Sequence, residues 1–369
     1  KPRFIHCAMS RAWRCATPCS SCSGSAPPWR AMACAASARS VSSSPRAGGF
    51  AAQYLVIRSL GAPLMLAYAS LRETSYGQGD SKTPMRAALA GNATNIALDA
   101  ILILGLDWGV QGAAVATVAG TLIELCVLAW PMRAQLAAMT WKRSAVGEIW
   151  VQGVPAGLQC LIEVGSFLIL TVLVAGMSAT DGAAHQLVLH LINVSFLPAH
   201  ALAEAAAVLV GQAVGAGRLE LVKIIAGRTL AIGAAYSGLC CILFALFGDD
   251  FATAMAGGDA ALAGRATTLV HVGLAFLVAD AANVIARGVL RGASDVRYAA
   301  ILGIITAWLT TPPLTYLLGI ELGLGVVGGW IGLALEIVVG AGLFWLRIHR
   351  GGWRPAALAA RRQMAGSAV

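Results

Sequence analysis

Nine apolar stretches of about 20 residues or more follow one another along the chain, at 53–76, 87–106, 112–131, 149–174, 183–210, 226–248, 266–290, 298–318 and 328–346. A helix needs about 20 such residues to cross a ~30 Å hydrocarbon core. In lipid the backbone must also satisfy its own hydrogen bonds, so a chain built this way folds either as spanning helices or as a closed barrel. No alternation of period two supports a barrel. The expected class is all-α, a polytopic membrane helical bundle with nine transmembrane helices. A soluble domain is excluded by composition, since 12% of residues are charged where about a quarter is usual.

The formal charge is +9, and a basic balance often marks a nucleic-acid partner. Here seven basic side chains and no acid fall within residues 1–50, and the rest of the chain, which holds every Asp and Glu, is close to neutral. A nucleic-acid footprint spread over the protein is therefore excluded. Five of the nine cysteines lie in the same opening segment. Cys15, Cys19 and Cys22 are spaced C-x3-C-x2-C, but no fourth ligand follows at zinc spacing. No metal site is expected.

Basic residues also sort by connection. Lys82 and Arg86, then Arg133, Lys142 and Arg143, then Arg218, Lys223 and Arg228, then Arg291 and Arg297, occupy alternate connections, and five arginines from Arg347 to Arg362 fill the tail. The intervening connections hold Arg265 with Asp249, Asp250 and Asp259. Because Lys and Arg are retained in the cytoplasm, the C-terminus is expected inside and residue 52 outside.

An internal repeat is visible. Gly109-Val110-Gln111-Gly112 opens the third stretch and Gly325-Val326-Val327-Gly328 the ninth. The preceding turns, Gly77-Gln78-Gly79-Asp80 and Arg291-Gly292-Ala293-Ser294-Asp295, match at nearly the same offset when Gly79 is paired with Gly292. Two similar six-helix lobes are implied, the first truncated by three crossings, a plan common among transporters. The expected organisation is an aberrant segment at 1–50, disordered or read out of frame; a remnant of the N-terminal lobe at 51–133; a linker at 134–148; the C-terminal lobe at 149–350; and a cytoplasmic tail at 351–369. An organelle transit peptide is the other reading of the Arg- and Ser-rich opening.

Charged groups inside spans point to function, because each costs about 2.5 to 3.5 kcal/mol at the bilayer centre and normally lines a polar cavity. Glu163 and Asp280 lie mid-span, the other reading being carboxylates satisfied by hydroxyls or amides in a packed bundle, and Glu204 is a third such acid, for which snorkelling in a polar cleft is an equal reading. Asn95 and Asp99, four residues apart, share a helix face, and Thr117 lies on the next helix; interhelical polar glue is an equal reading of that trio. Glu124 and Glu336 read as lobe-stabilising or interfacial, and Arg287, Arg291 and Arg297 as topology-setting. His185, His190, His200 and His271 read as packing residues. Pro63, Pro155, Pro198 and the Pro312-Pro313 pair are expected to kink their helices.

Tyr76-Gly77-Gln78-Gly79-Asp80-Ser81-Lys82-Thr83-Pro84-Met85, Gly109-Val110-Gln111-Gly112-Ala113-Ala114-Val115-Ala116-Thr117, Gly211-Gln212-Ala213-Val214-Gly215-Ala216-Gly217 and Val289-Leu290-Arg291-Gly292-Ala293-Ser294-Asp295 resemble, in order and spacing, the multidrug and toxic compound extrusion family. The resemblance covers residues 53 to about 350 and corresponds to helices 4 to 12 of that family. It implies a secondary active antiporter, not an enzyme, that exports small organic cations in exchange for protons or sodium ions. It implies no cofactor beyond the coupling ion, a plasma-membrane location and a monomer. Glu163 and Asp280 match acidic positions that bind the coupling cation. Asn95, Asp99 and Thr117 match part of an N-lobe proton network, and Glu204 an acid found in some members. Phe276 stands where sodium-coupled members often carry Tyr. A flippase for lipid-linked precursors, with a cleft rich in Arg and Lys, and a non-functional fragment are the alternatives.

Overall fold

The structure, a computed structural model, describes residues 45–138 and 143–366, and among them every regular element is helical. The helices are α1 Pro45–Gly77, α2 Lys82–Asp99, α3 Gly109–Ala137, α4 Arg143–Met177, α5 Ala179–Gly215, α6 Glu220–Met255, α7 Ala260–Leu274, α8 Leu277–Gly292, α9 Val296–Leu314, α10 Val326–Arg350 and α11 Arg354–Gly366. Short π-helical turns, Ala100–Gly105 and Thr315–Glu321, extend α2 and α9. The expected disordered segment and the Cys15, Cys19 and Cys22 cluster lie outside the described residues, except that residues 45–50 already belong to α1. The helices divide into two compact units, one holding α1 to α3 and the other starting at Gly147 within α4.

Among the described residues, eight helical segments are long and apolar enough to span a membrane, and a bent pair makes nine. That pair is α7 with α8, which meet at 54° within the stretch 266–290 that reads as one span. At the break, Ala275 N and Phe276 N reach back only three residues, to Val272 O at 3.2 Å and Gly273 O at 3.1 Å, before Asp280 N takes up Phe276 O at 2.8 Å. No proline is involved. Pro63, Pro198 and Pro312-Pro313 instead lie inside helices that continue through them. Discontinuous spans of this kind are where transporters commonly place binding groups.

Hydrogen bonds give the repeat its register. In the α1–α2 turn, Gly79 N donates to Tyr76 O at 3.0 Å and Asp80 N to Ser75 O at 2.9 Å; in the α8–α9 turn, Ser294 N donates to Arg291 O at 3.0 Å and Asp295 N to Leu290 O at 2.9 Å. Gly79 therefore corresponds to Ser294, and the expected pairing of Gly79 with Gly292 is two positions out. Both residues are left-handed, with φ of 82° and 63°, the usual way to close a helix C-terminus. Sequence similarity favours matching glycine to glycine, but a serine takes the position in the second copy. Asp80 then accepts from Lys82 N at 3.0 Å and Thr83 N at 3.1 Å. Its bonds with Thr83 hold the carboxyl below the usual carboxylate range.

In the second unit, α5 and α8 cross with almost no space between them. A Cβ on Gly288 would collide with Ala203 O, and one on Gly292 with Ala207 O. Small residues four apart on each helix let two backbones touch, as in membrane helix pairs generally. Two apolar clusters flank this seam. One gathers Leu170, Phe244, Leu269, Leu277 and Trp330, the other Val210, Val222, Leu290, Phe344, Ile348 and Trp353. Arg347 ties α10 to the α8–α9 turn through Asp295 Oδ2 at 3.0 Å, its guanidinium stacked 4.3 Å from the Tyr298 ring centroid.

Candidate functional site

Within the second unit, α4, α5, α8, α9 and α10 enclose a cavity of about 680 Å³. Three acids marked in the sequence, Glu163, Glu204 and Asp280, line it together. A fourth, Glu336, joins them, as do Asn283, Arg287 and Arg291. Phe167, Phe196, Phe276 and Trp330 supply aromatic wall. The lining thus carries four carboxylates and two guanidiniums, a formal charge of −2 with His200 neutral.

Each group is held by its helix and by a neighbour. Around Glu163, α4 is pinned to α9 by Trp308 Nε1 donating to Ile162 O at 3.0 Å and Ser166 Oγ donating to Ala307 O at 3.2 Å. Glu163 Oε2 accepts from Arg287 Nη1 at 2.8 Å, a charge-assisted distance. Arg287 Nε donates to Asn283 Oδ1 at 3.1 Å, and Asn283 Nδ2 to Ile337 O at 3.0 Å. One turn further along α8, Arg291 Nη2 donates to Glu204 Oε1 at 2.6 Å, with His200 Nε2 3.9 Å from the same oxygen. The α5–α8 seam makes this second pair, because Gly288 and Gly292 bring their backbone onto Ala203 and Ala207, close to Glu204 on α5.

Asp280 sits in the first turn of α8, just past the break, where free N–H groups form the positive end of the helix. Among the described residues, no cation lies within ion-pairing distance of its carboxylate. Glu336 accepts a short hydrogen bond from Thr311 Oγ1. Phe276 is buried, its ring centroid 6.1 Å from that of Trp330, and brings no hydroxyl to the acids. Trp330 Nε1 donates to His185 Nδ1 at 3.0 Å. That leaves Nε2 of the buried imidazole to carry the proton toward Thr171 Oγ1, 3.3 Å away. His185 is a hydrogen-bonded packing residue that steadies the cavity wall.

The trio Asn95, Asp99 and Thr117 belongs to the first unit. Asn95 Nδ2 donates to Thr117 Oγ1 at 3.5 Å, a long bond. Asp99 Oδ1 is buried with no hydrogen-bond partner among the described residues. The π-helical turn begins at the next residue, Ala100.

Sequence reasoning missed Arg287, Arg291 and Glu336 as cavity residues. Arg287 is 124 positions from Glu163, and Arg291 is 87 from Glu204, so no local pattern joins them. The available signal was α8 itself, where Asp280, Asn283, Arg287 and Arg291 recur at three or four residues and so share a face. Among the described residues, no group of three His, Cys, Asp or Glu is arranged to hold a metal ion. What the cavity can do is hold positive charge: its acids outnumber its cations, and its walls offer aromatic surface.

Residues 155–317 match the family description MatE. A probable multidrug resistance protein NorM of Bradyrhizobium diazoefficiens is 30% identical over 324 residues, covering 83% of this chain and 69% of that protein. Its counterpart in Pseudomonas syringae pv. tomato is 28% identical over 346 residues, covering 86% and 72%. The fold is similar to that of an outward-facing multidrug resistance MATE family transporter of the MOP superfamily, with a TM-score of 0.73 at 20% identity over 82% of this chain and 70% of that one.

Proposed function

Because the chain belongs to the multidrug and toxic compound extrusion family, we propose that it is a secondary active antiporter, exporting organic cations in exchange for protons or sodium ions. It is a multi-pass membrane transporter of the multidrug-efflux class and not an enzyme. The observation that carries the finer reading is the cavity, with net negative lining and aromatic walls. Carboxylates attract a cation, aromatic faces attract it further, and neither demands a particular substrate shape.

In this reading Glu163, Asp280 and Glu204 form the cation path in the second unit, and Asn95, Asp99 and Thr117 relay protons in the first. An inward ion gradient loads the acids from outside, which disfavours the bound drug and releases it. The emptied carrier returns, discharges the ion and takes new substrate, each ligand shifting the equilibrium only by its differential affinity for the two states. The protein works as a monomer in the plasma membrane, with its C-terminus in the cytoplasm. A lipid-linked pyrophosphate would need free cations in the cleft. Both cavity arginines instead face glutamates, which speaks against the flippase alternative.

The test is efflux of ethidium from drug-hypersensitive cells expressing the protein. Glu163→Gln and Asp280→Asn each abolish export at unchanged membrane abundance. Wild-type efflux from both variants overturns the assignment.

A further inference from the structure

The contact between Arg287 and Glu163 lacks the form of a structural brace. Braces gain most when the guanidinium fork grips both carboxylate oxygens away from solvent. Here Nη1 alone reaches Oε2, Nε is committed to Asn283, and the side chains are 30% and 22% exposed, facing the cavity. The same guanidinium also lies over the face of Phe344, whose ring centroid is 5.2 Å away, where cation–π attraction holds a charge without a carboxylate. Gly303 lets the pair pack directly against the α9 backbone. A Cβ there would stand 2.5 Å from Glu163 Oε1 and 2.9 Å from Arg287 Nη2.

We propose that Arg287 is a tethered counter-cation. It occupies on Glu163 the place that a transported organic monocation takes, so substrate binds by displacing the guanidinium toward Asn283 and Phe344. The assignment rests on the organic-cation reading of the cavity above. Displacement sets a threshold for binding. A strongly hydrated or weakly held cation fails to dislodge the arginine, and a large cation that also stacks on Phe276 or Trp330 succeeds. Arg287 is thereby a specificity-determining residue.

The experiment measures binding of tetraphenylphosphonium to the purified full chain in lipid nanodiscs. Arg287→Gln is expected to bind about tenfold tighter than wild type, equivalent to ~1.4 kcal/mol, because the competitor is gone. Gly303→Ala keeps every charge but crowds the pair, and is expected to tighten binding severalfold in the same direction. In the double variant Glu163→Gln with Arg287→Gln the gain disappears. Arg287→Gln and Gly303→Ala binding no tighter than wild type overturns the tether, and so does a gain that persists without Glu163, which would make Arg287 a general positive charge. If wild type and every variant leave the probe unbound, the organic-cation reading itself falls. If Arg287→Gln gives no monodisperse protein, Gly303→Ala decides.

Discussion

The helix pairs α2–α3 and α9–α10 follow the same backbone course and differ in where they carry acid. Leu106 N bonds Ile101 O and Trp108 N bonds Leu102 O; at the offset that carries Gly109 to Gly325, Leu322 N bonds Leu317 O and Leu324 N bonds Leu318 O. The same shift equates Asn95 with Thr311, Asp99 with Thr315, Gly120 with Glu336 and Glu124 with Gly340. In the first pair Asp99 closes α2, and the acid on α3 is Glu124, set against Gly91. In the second it is Glu336, one turn earlier on the same helix face, where it lines the cavity. Gly340 then leaves the space that Asn283 Nδ2 occupies, 2.7 Å from where a Cβ would be. The turns preserve the frame, while in the second copy a one-turn move of the later helix's carboxylate brings it to join Glu163, Glu204 and Asp280 in the cavity lining.

Exchanging residues between the copies tests this. The largest effect is expected from Gly288→Glu, the counterpart of Glu73 in α1. Any Cβ there meets a backbone carbonyl, so the cost exceeds the ~1–3 kcal/mol of ordinary overpacking, and no monodisperse protein is recovered on gel filtration. The reverse change, Glu73→Gly on an exposed helix face, lowers stability by only about 1 kcal/mol. Next, Glu336→Gly reduces ethidium export by about tenfold or more, ~1.4 kcal/mol of lost discrimination, while Glu124→Gly stays within about threefold. Equal losses in the two variants would break the comparison.

Asp99→Thr installs the second copy's residue. Removing a buried acceptor without a partner gains ~1 kcal/mol, read as a higher melting temperature, and export falls severalfold as the proposed relay is interrupted. A raised melting temperature with wild-type export would leave Asp99 no role in coupling. The smallest effects belong to the turns. Ser294→Gly stabilises and Gly79→Ser destabilises, each by about 1 kcal/mol, because only glycine holds the left-handed conformation without steric cost. Thermal melts of the two variants should move in opposite directions.

The spans were legible because apolar length in lipid is a strong requirement that needs no knowledge of neighbours. Glu163, Glu204 and Asp280 were legible for the related reason that charge is rare in such stretches. The break at Ala275–Phe276 was not, since 266–290 is largely apolar and lacks proline. Pro312 and Pro313 advertise a disruption that takes the form of a π-helical turn just beyond them. The arginines of α8 are hard to recognise because they sit beside a basic connection, where charge has a topological explanation, and their partners are distant in the chain. Glu336 reads as lobe-stabilising or interfacial, and not as a cavity acid, because its hydrogen-bond partner Thr311 lies on another helix. Such pairings depend on which helices touch, and the α5–α8 contact rests on glycines whose spacing looks ordinary in so glycine-rich a chain.

That contact has a mechanical consequence. With Gly288 on Ala203 O and Gly292 on Ala207 O, α8 cannot creep along α5 unless a glycine steps off its carbonyl onto a residue with a side chain. Shear between these two helices is opposed, and the 54° break between α7 and α8 offers a hinge instead. In the proposed mechanism a cation at Asp280, one turn past that joint, would apply its pull to a pivot rather than to a sliding surface.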